Sequence, residues 1–189
     1  MAQLRILFVA LCILVFFTSC AGNKNITAPQ IADFIITNNE ANVLLYARLV
    51  NGFKDDIVSE IMAGVPKEYI LQIRVYEERP YIWSKKIKSS KIRRTIKYDN
   101  LKKTFIVSGA DKPEPAEFSD LYSAQNAMAD FNGIIVIPII DLQRNKNYYL
   151  KTMVTIDKVR LPLRLERLFF FVSFWDYATA WYKQKFILK

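Results

Sequence analysis

Tyr69-Ile70-Leu71-Gln72-Ile73-Arg74-Val75-Tyr76 alternates without a break. Tyr69, Leu71, Ile73 and Val75 fall on one side, and Ile70, Gln72, Arg74 and Tyr76 on the other. Side chains that change face at every step belong to a β-strand, here one buried chiefly on a single face. Val43, Leu45, Ala47 and Leu49 repeat the pattern against Leu44, Tyr46, Arg48 and Val50. Further on, Ile92, Ile96 and Tyr98 oppose Lys91, Arg93, Thr95 and Lys97. Tyr98-Asp99-Asn100-Leu101 supplies turn residues, and Phe105-Ile106-Val107 begins a return strand, which predicts a hairpin. Ile134–Ile140 is an apolar run broken by Pro138, either a central strand with a bulge or an edge strand. Tyr148, Leu150, Thr152, Val154 and Ile156 mark a late strand, and Tyr177, Thr179 and Trp181 a last one.

Two stretches change to helical spacing. Asp55 or Asp56 caps a short helix carrying Ile57, Ile61 and Met62, stopped by Gly64 and Pro66. Phe118, Leu121, Tyr122, Gln125, Met128 and Ala129 put an apolar stripe on a helix from Glu117 to Phe131. Pro162–Phe174 suits helix and strand equally. Many short strands with no β-α-β rhythm predict a mainly β fold. The expected architecture is an antiparallel β-sandwich, immunoglobulin-like or related, with one or two short inserted helices.

Composition narrows the chemistry. The 189 residues contain no histidine, which excludes Ser-His-Asp and Cys-His catalysis and every His-ligated metal or haem site. Nothing reads G-x-G-x-x-G or G-x-x-x-x-G-K-[ST], so dinucleotide and P-loop sites lack support. Neither a cofactor nor a metal is expected.

The N-terminus carries an address. Arg5 precedes twelve consecutive apolar residues, Ile6–Phe17, a length that suits a secretory leader and falls short of the roughly 18 needed to span a bilayer. Phe17-Thr18-Ser19-Cys20-Ala21-Gly22 follows, and it resembles the lipobox of bacterial lipoproteins, with small residues before an acceptor cysteine. The resemblance makes Cys20 the lipidation site. With Ala21 next to it, the resemblance implies the periplasmic face of an outer membrane. Residues 1–19 are then the signal peptide, 20–30 a polar tether and 31–189 a single β-sandwich domain. Two other readings use the same residues: an uncleaved helical anchor, or ordinary cleavage to a free periplasmic protein. Cys12 lies within the apolar run, so no cysteine remains for a disulfide or a metal.

The net charge of +9 is concentrated. Between Lys85 and Lys103 stand nine basic residues (Lys85, Lys86, Lys88, Lys91, Arg93, Arg94, Lys97, Lys102 and Lys103) against one acid, Asp99. Alternation sets Lys91, Arg93 and Lys97 on one face while Ile92 and Ile96 enter the core. A focused basic stripe steers anions: lipid head groups, an anionic envelope polymer, or an acidic protein. Nucleic acid is put out of reach by the leader. The same lysines also suit the protection of an exposed strand edge against pairing with other chains.

Asp111, Glu114, Glu117 and Asp120 form the densest acidic set. They read either as a cation site or an acid/base pair or, because their spacing runs through a Pro113/Pro115 loop into a helix start, as carboxylates that complement the dipole. Trp83, Trp175, Trp181 and Phe169–Phe171 are candidates to line a lipid or sugar groove, or to fill the core.

Gly52-Phe53, Gly64-Val65-Pro66, Ile96-Lys97-Tyr98-Asp99, Leu161-Pro162 and the Trp175 to Trp181-Tyr182 stretch occur in an order and spacing that resemble the uncharacterised bacterial envelope family, domain of unknown function 4390. Members of that family carry signal or anchor segments and often lie beside genes for a sensor kinase pair. The resemblance brings no catalytic residue. The expected function is a non-catalytic, lipid-anchored binding or accessory module of the envelope. The alternatives are an envelope enzyme using carboxylate or Ser/Lys chemistry, and an accessory to a membrane sensor kinase.

Overall fold

Tyr69, Leu71, Ile73 and Val75 lie at the centre of the protein, in strand β3 (Lys67–Glu77), each with almost no exposed surface. The structure, a computed structural model, describes residues 28–157 and 177–188. The leader, Cys20, most of the tether and the ambiguous Pro162–Phe174 stretch lie outside the described residues.

Strand β3 pairs antiparallel on one side with β4 (Lys85–Asp99) and on the other with β8 (Asn147–Asp157). From β4 the sheet continues to β5 (Thr104–Gly109) and β6 (Ala116–Phe118). Beyond β8 lie β9 (Tyr177–Ala178) and β10 (Tyr182–Ile187), both paired with it. A second sheet has β2 (Asn42–Val50) at its centre, flanked by β1 (Gln30–Asn38) and β7 (Asp130–Pro138). Every described pairing is antiparallel, and the result is the β-sandwich that the alternation predicts. Val43, Leu45, Ala47 and Leu49 of β2 and Phe131, Ile134, Val136 and Ile137 of β7 are buried in one core cluster with the inner residues of β3, β4 and β8.

Two helices pack against the sheets. Helix α1 (Asp55–Met62) buries Ile57 and Ile61, and its last turn is finished by Gly64 at φ +85°, whose N–H donates to the Ile61 carbonyl at 2.8 Å. A positive φ suits glycine, which has no Cβ to clash. The capping position is Lys54 rather than Asp55 or Asp56, which sit in the first turn where their charge favours the dipole. Helix α2 (Leu121–Ala129) is shorter than the apolar stripe implies. Ala116–Phe118 pairs with β5 instead, and Asp120 caps the helix by accepting the Ser123 N–H at 2.8 Å. At the other end Asp130 turns extended and starts β7.

Other departures from the sequence reading have local causes. Strand β1 escapes a period-two search because its register slips between Ala32 and Ile35, with Asp33 at φ +50°. The inserted residue shifts the parity of the strand. The last strand is broken into β9 and β10, and buried Thr179 lies in the gap. Its hydroxyl accepts the Val154 N–H at 3.0 Å while its own N–H donates to the Val154 carbonyl at 2.9 Å. The choice left open for Ile134–Ile140 resolves as an edge strand that also carries bulges and ends at Pro138. Its register slips at Val136 and again just before Ile134, where Gly133 sits at φ +68°. Among the described residues, no helix is long and apolar enough to cross a membrane.

Candidate binding surfaces

Strand β4 carries most of the basic set. Lys91, Arg93 and Lys97 are exposed along its outer face, Lys85 and Lys86 are exposed at its start, and Lys88 is half-buried. Arg93 Nε sits 3.1 Å from Glu68 on the neighbouring strand. Lys102 Nζ lies 3.0 Å from Glu117, which holds the ammonium pKa above its usual value. Lys103, also exposed, occupies the turn at φ +58°. In that turn the Asp99 carboxylate accepts the N–H groups of Lys102 and Leu101, which hold its pKa below the ordinary range. Strand β5 meets β4 only from Arg94 to Asp99, so among the described strands Lys85–Arg93 pairs on one side alone. An open edge crowded with lysines resists pairing with another chain.

Arg94 does not belong to this exposed set. Only 2% of its side chain is exposed, because its place between Ile92 and Ile96 turns it inward with them. Its guanidinium donates Nε–H to both oxygens of Asp111, at 3.2 and 3.1 Å, and Nη2–H to Oδ2 at 2.5 Å. The remaining nitrogen, Nη1, donates to the carbonyls of Ala127 and Met128 at 3.1 Å and of Asp130 at 2.8 Å. Those carbonyls lie at the C-terminal end of α2, where the helix has no intrahelical donors left. The plane of Arg94 also rests 4.2 Å from the Phe131 ring centroid. Asp111 has its backbone at the surface and its carboxylate turned in, 14% exposed. Burial alone raises the Asp111 pKa, and the Arg94 hydrogen bond and charge more than reverse that, leaving it below the usual carboxylate range.

The acidic set therefore separates. Asp111 binds Arg94, Glu117 binds Lys102, Asp120 caps a helix, and Glu114 stays exposed. Two neighbouring cavities of about 540 and 490 Å³ flank α2 and β7, sharing Asp130 and Asn132. The first holds the Arg94–Asp111 pair, and the second holds Arg48, which lies 2.8 Å from Asp130 and 3.8 Å from Asp33. Asp111, held by Arg94, is stabilised as the anion and is a poor proton donor. Among the described residues, no group of three or more His, Cys, Asp or Glu side chains is placed to hold a metal ion.

The outer face of the larger sheet holds a feature that the charge count along the chain misses. Tyr76 and Tyr149 stack at 4.9 Å across β3 and β8, with Lys183 Nζ 4.0 Å from the Tyr149 ring. Arg74 lies 4.4 Å over Trp181. Lys151 pairs directly opposite Arg74, so cations from β3, β8 and β10 share the face that displays Lys91 and Arg93. Outward parity of Arg74 in β3 was the available signal; strand order, which a single sequence does not reveal, supplied the rest. Trp83 is exposed in the β3–β4 connection, while Trp175 and Phe169–Phe171 lie outside the described residues.

Fold and surface together define a two-sheet antiparallel β-sandwich with a basic, aromatic sheet face. The chain belongs to the family described as Domain of unknown function (DUF4390), which it matches over residues 27–185. No curated protein and no solved structure matches it.

Proposed function

We propose that this is an exported envelope protein, lipid-anchored through Cys20 on the periplasmic face of a bacterial membrane, that acts as a non-catalytic module binding an anionic partner. The observation that carries the reading is the exposed β4 stripe, joined by Arg74, Lys151 and Lys183 from neighbouring strands. Lys86, Lys88 and Lys91 form no salt bridge among the described residues. Like charges held together on a rigid sheet raise the local concentration of anions, with an effect that salt screens over about 10 Å.

Combined Lys91→Glu, Arg93→Glu and Lys97→Glu is expected to weaken retention of the anionic partner on the order of tenfold or more, with the fold intact. The exposed Arg93–Glu68 pair costs at most about 1 kcal/mol to lose. The measurement is co-purification from detergent-solubilised envelope at low salt. Unchanged retention leaves the lysines as edge protection only. The anchor has a separate check, because two or three acyl chains hold a protein lastingly where one does not. Cys20→Ala is expected to move the protein from the membrane to the soluble fraction. If it stays bound through a high-salt wash, which strips electrostatic docking, Ile6–Phe17 is an uncleaved span.

A further inference from the structure

The β3–β4 connection holds the most exposed apolar group of the described residues. Tyr81 is fully exposed, Trp83 is 94% exposed, and Ile82 between them is also open. Three consecutive bulky side chains facing water mark a surface meant to be covered. Tyr81 sits at φ +67°, a left-handed conformation that L-residues rarely adopt. The acids beside this tip are already occupied: Glu77 by Lys146 at 3.0 Å and Arg79 at 3.7 Å, Glu78 by Lys185 at 2.8 Å. Lys146 holds the Glu77 carboxyl below its usual pKa. Beyond Ser84, Lys85 and Lys86 stand exposed on the other arm. Lys85 lies opposite Glu77 and its charge also lowers that carboxyl, while Lys86 forms no salt bridge among the described residues.

We infer that the Tyr81-Ile82-Trp83 tip is an interfacial wedge that docks on an anionic lipid bilayer. Tyr and Trp combine an apolar body with a polar edge and settle at the level of lipid head groups. Ile82, 62% exposed between them, adds apolar surface to the same tip. Lys85 and Lys86 lie where the tip would place them against phosphates, and each basic residue near an anionic surface strengthens binding about fivefold. Charge selects the occupant: an apolar tip with a basic collar matches an anionic membrane better than an apolar protein groove. The inference deepens the proposed anionic partner by naming a lipid surface, and it relies on export only to bring a membrane within reach.

The test uses the full chain reconstituted into vesicles of phosphatidylcholine with increasing phosphatidylglycerol, part of the lipid carrying brominated acyl chains. Trp83→Phe keeps the apolar tip but removes its emission, so the difference from the unaltered chain isolates Trp83. The expected result is bromine quenching of Trp83 that grows with the phosphatidylglycerol fraction. Lys85→Glu with Lys86→Glu is expected to reduce the quenched share at least about fivefold, with circular dichroism unchanged. Unquenched Trp83 in anionic vesicles overturns the inference, whether or not the protein floats with them. So does self-association that Trp83→Ser abolishes, since the tip would then meet a second copy of the chain. Cys20→Ala reports on the anchor and quenching on the tip, so either reading can fail alone.

Discussion

Arg94→Met is expected to remove about 3–5 kcal/mol of unfolding stability, the usual cost of breaking a buried ion pair from one side. Three consequences follow from the single change. The Asp111 carboxylate keeps its charge at a site that is 14% exposed and loses its partner. The carbonyls of Ala127, Met128 and Asp130 lose a common donor. The end of α2 thereby loses its hydrogen bonds to β4, while Lys112 still donates to the Ala127 carbonyl at 3.2 Å. Arg94→Lys is expected to fall between the two, since an ammonium cannot fork toward both the carboxylate and the carbonyls. Arg94→Met with Asp111→Leu is expected to recover much of the loss, because no isolated charge remains. Urea midpoints measure all three, and a loss under about 1 kcal/mol for Arg94→Met would refute the network's role.

The same pair predicts an acid limb. The Asp111 pKa is lower folded than unfolded, where an aspartate titrates near about 4. Its contribution is therefore complete above that value and disappears as pH falls through the folded pKa. Asp111→Asn is expected to flatten the fall in stability below about pH 4 without abolishing it, because Asp99, Asp120 and Glu77 are lowered as well.

Phe131→Ala is expected to cost about 3–5 kcal/mol, the range for removing a buried aromatic ring. Phe131 is 1% exposed and stands on the smaller sheet, yet its ring carries the guanidinium of Arg94 from the larger one. A desolvated cation–π contact contributes up to about 2 kcal/mol beyond burial, so the two sites are coupled. The double variant Phe131→Ala with Arg94→Met is expected to be less destabilised than the sum of the singles by at least about 0.5 kcal/mol. Phe131→Leu refills most of the volume and loses only the contact with the guanidinium. Strict additivity would mean that the ring and the cation are neighbours without interaction.

Strands β2, β3, β5 and β8 were legible because each buries one face cleanly, so hydrophobic alternation and pairing agree. Of β4 only Lys91–Tyr98 was, because the half before it buries no side chain fully and slips register at Ile87. Strand β1 was not, since the slip at Asp33 breaks the parity on which such a search depends. The N-terminal end of α2 was overdrawn because Ala116 and Phe118 present an apolar pattern whether they belong to a strand or to a helix turn. Only the pairing of β6 with β5 separates the two. Among the charges, the exposed places of Lys91, Arg93 and Lys97 followed from alternation. The same alternation places Arg94 beside Ile92 and Ile96, and counting charge without parity hid it. Its partner Asp111 was beyond reach, because an ion pair across 17 residues depends on a hairpin returning to the right height. The Tyr76–Tyr149 stack likewise needs strands far apart in the chain to become neighbours.

Strand β4 runs from Lys85 to Asp99 with one bulge, at Ile87, and at about 3.3 Å per residue spans roughly 45 Å. One end adjoins the aromatic tip, and the other turns back past Lys102 and Lys103. Hydrogen bonding to β3 along most of that length makes the strand a stiff ruler rather than a flexible arm. If the proposed partner binds beside the Asp99 turn and the tip meets a membrane, the two would stand at a separation written in the number of residues between two turns.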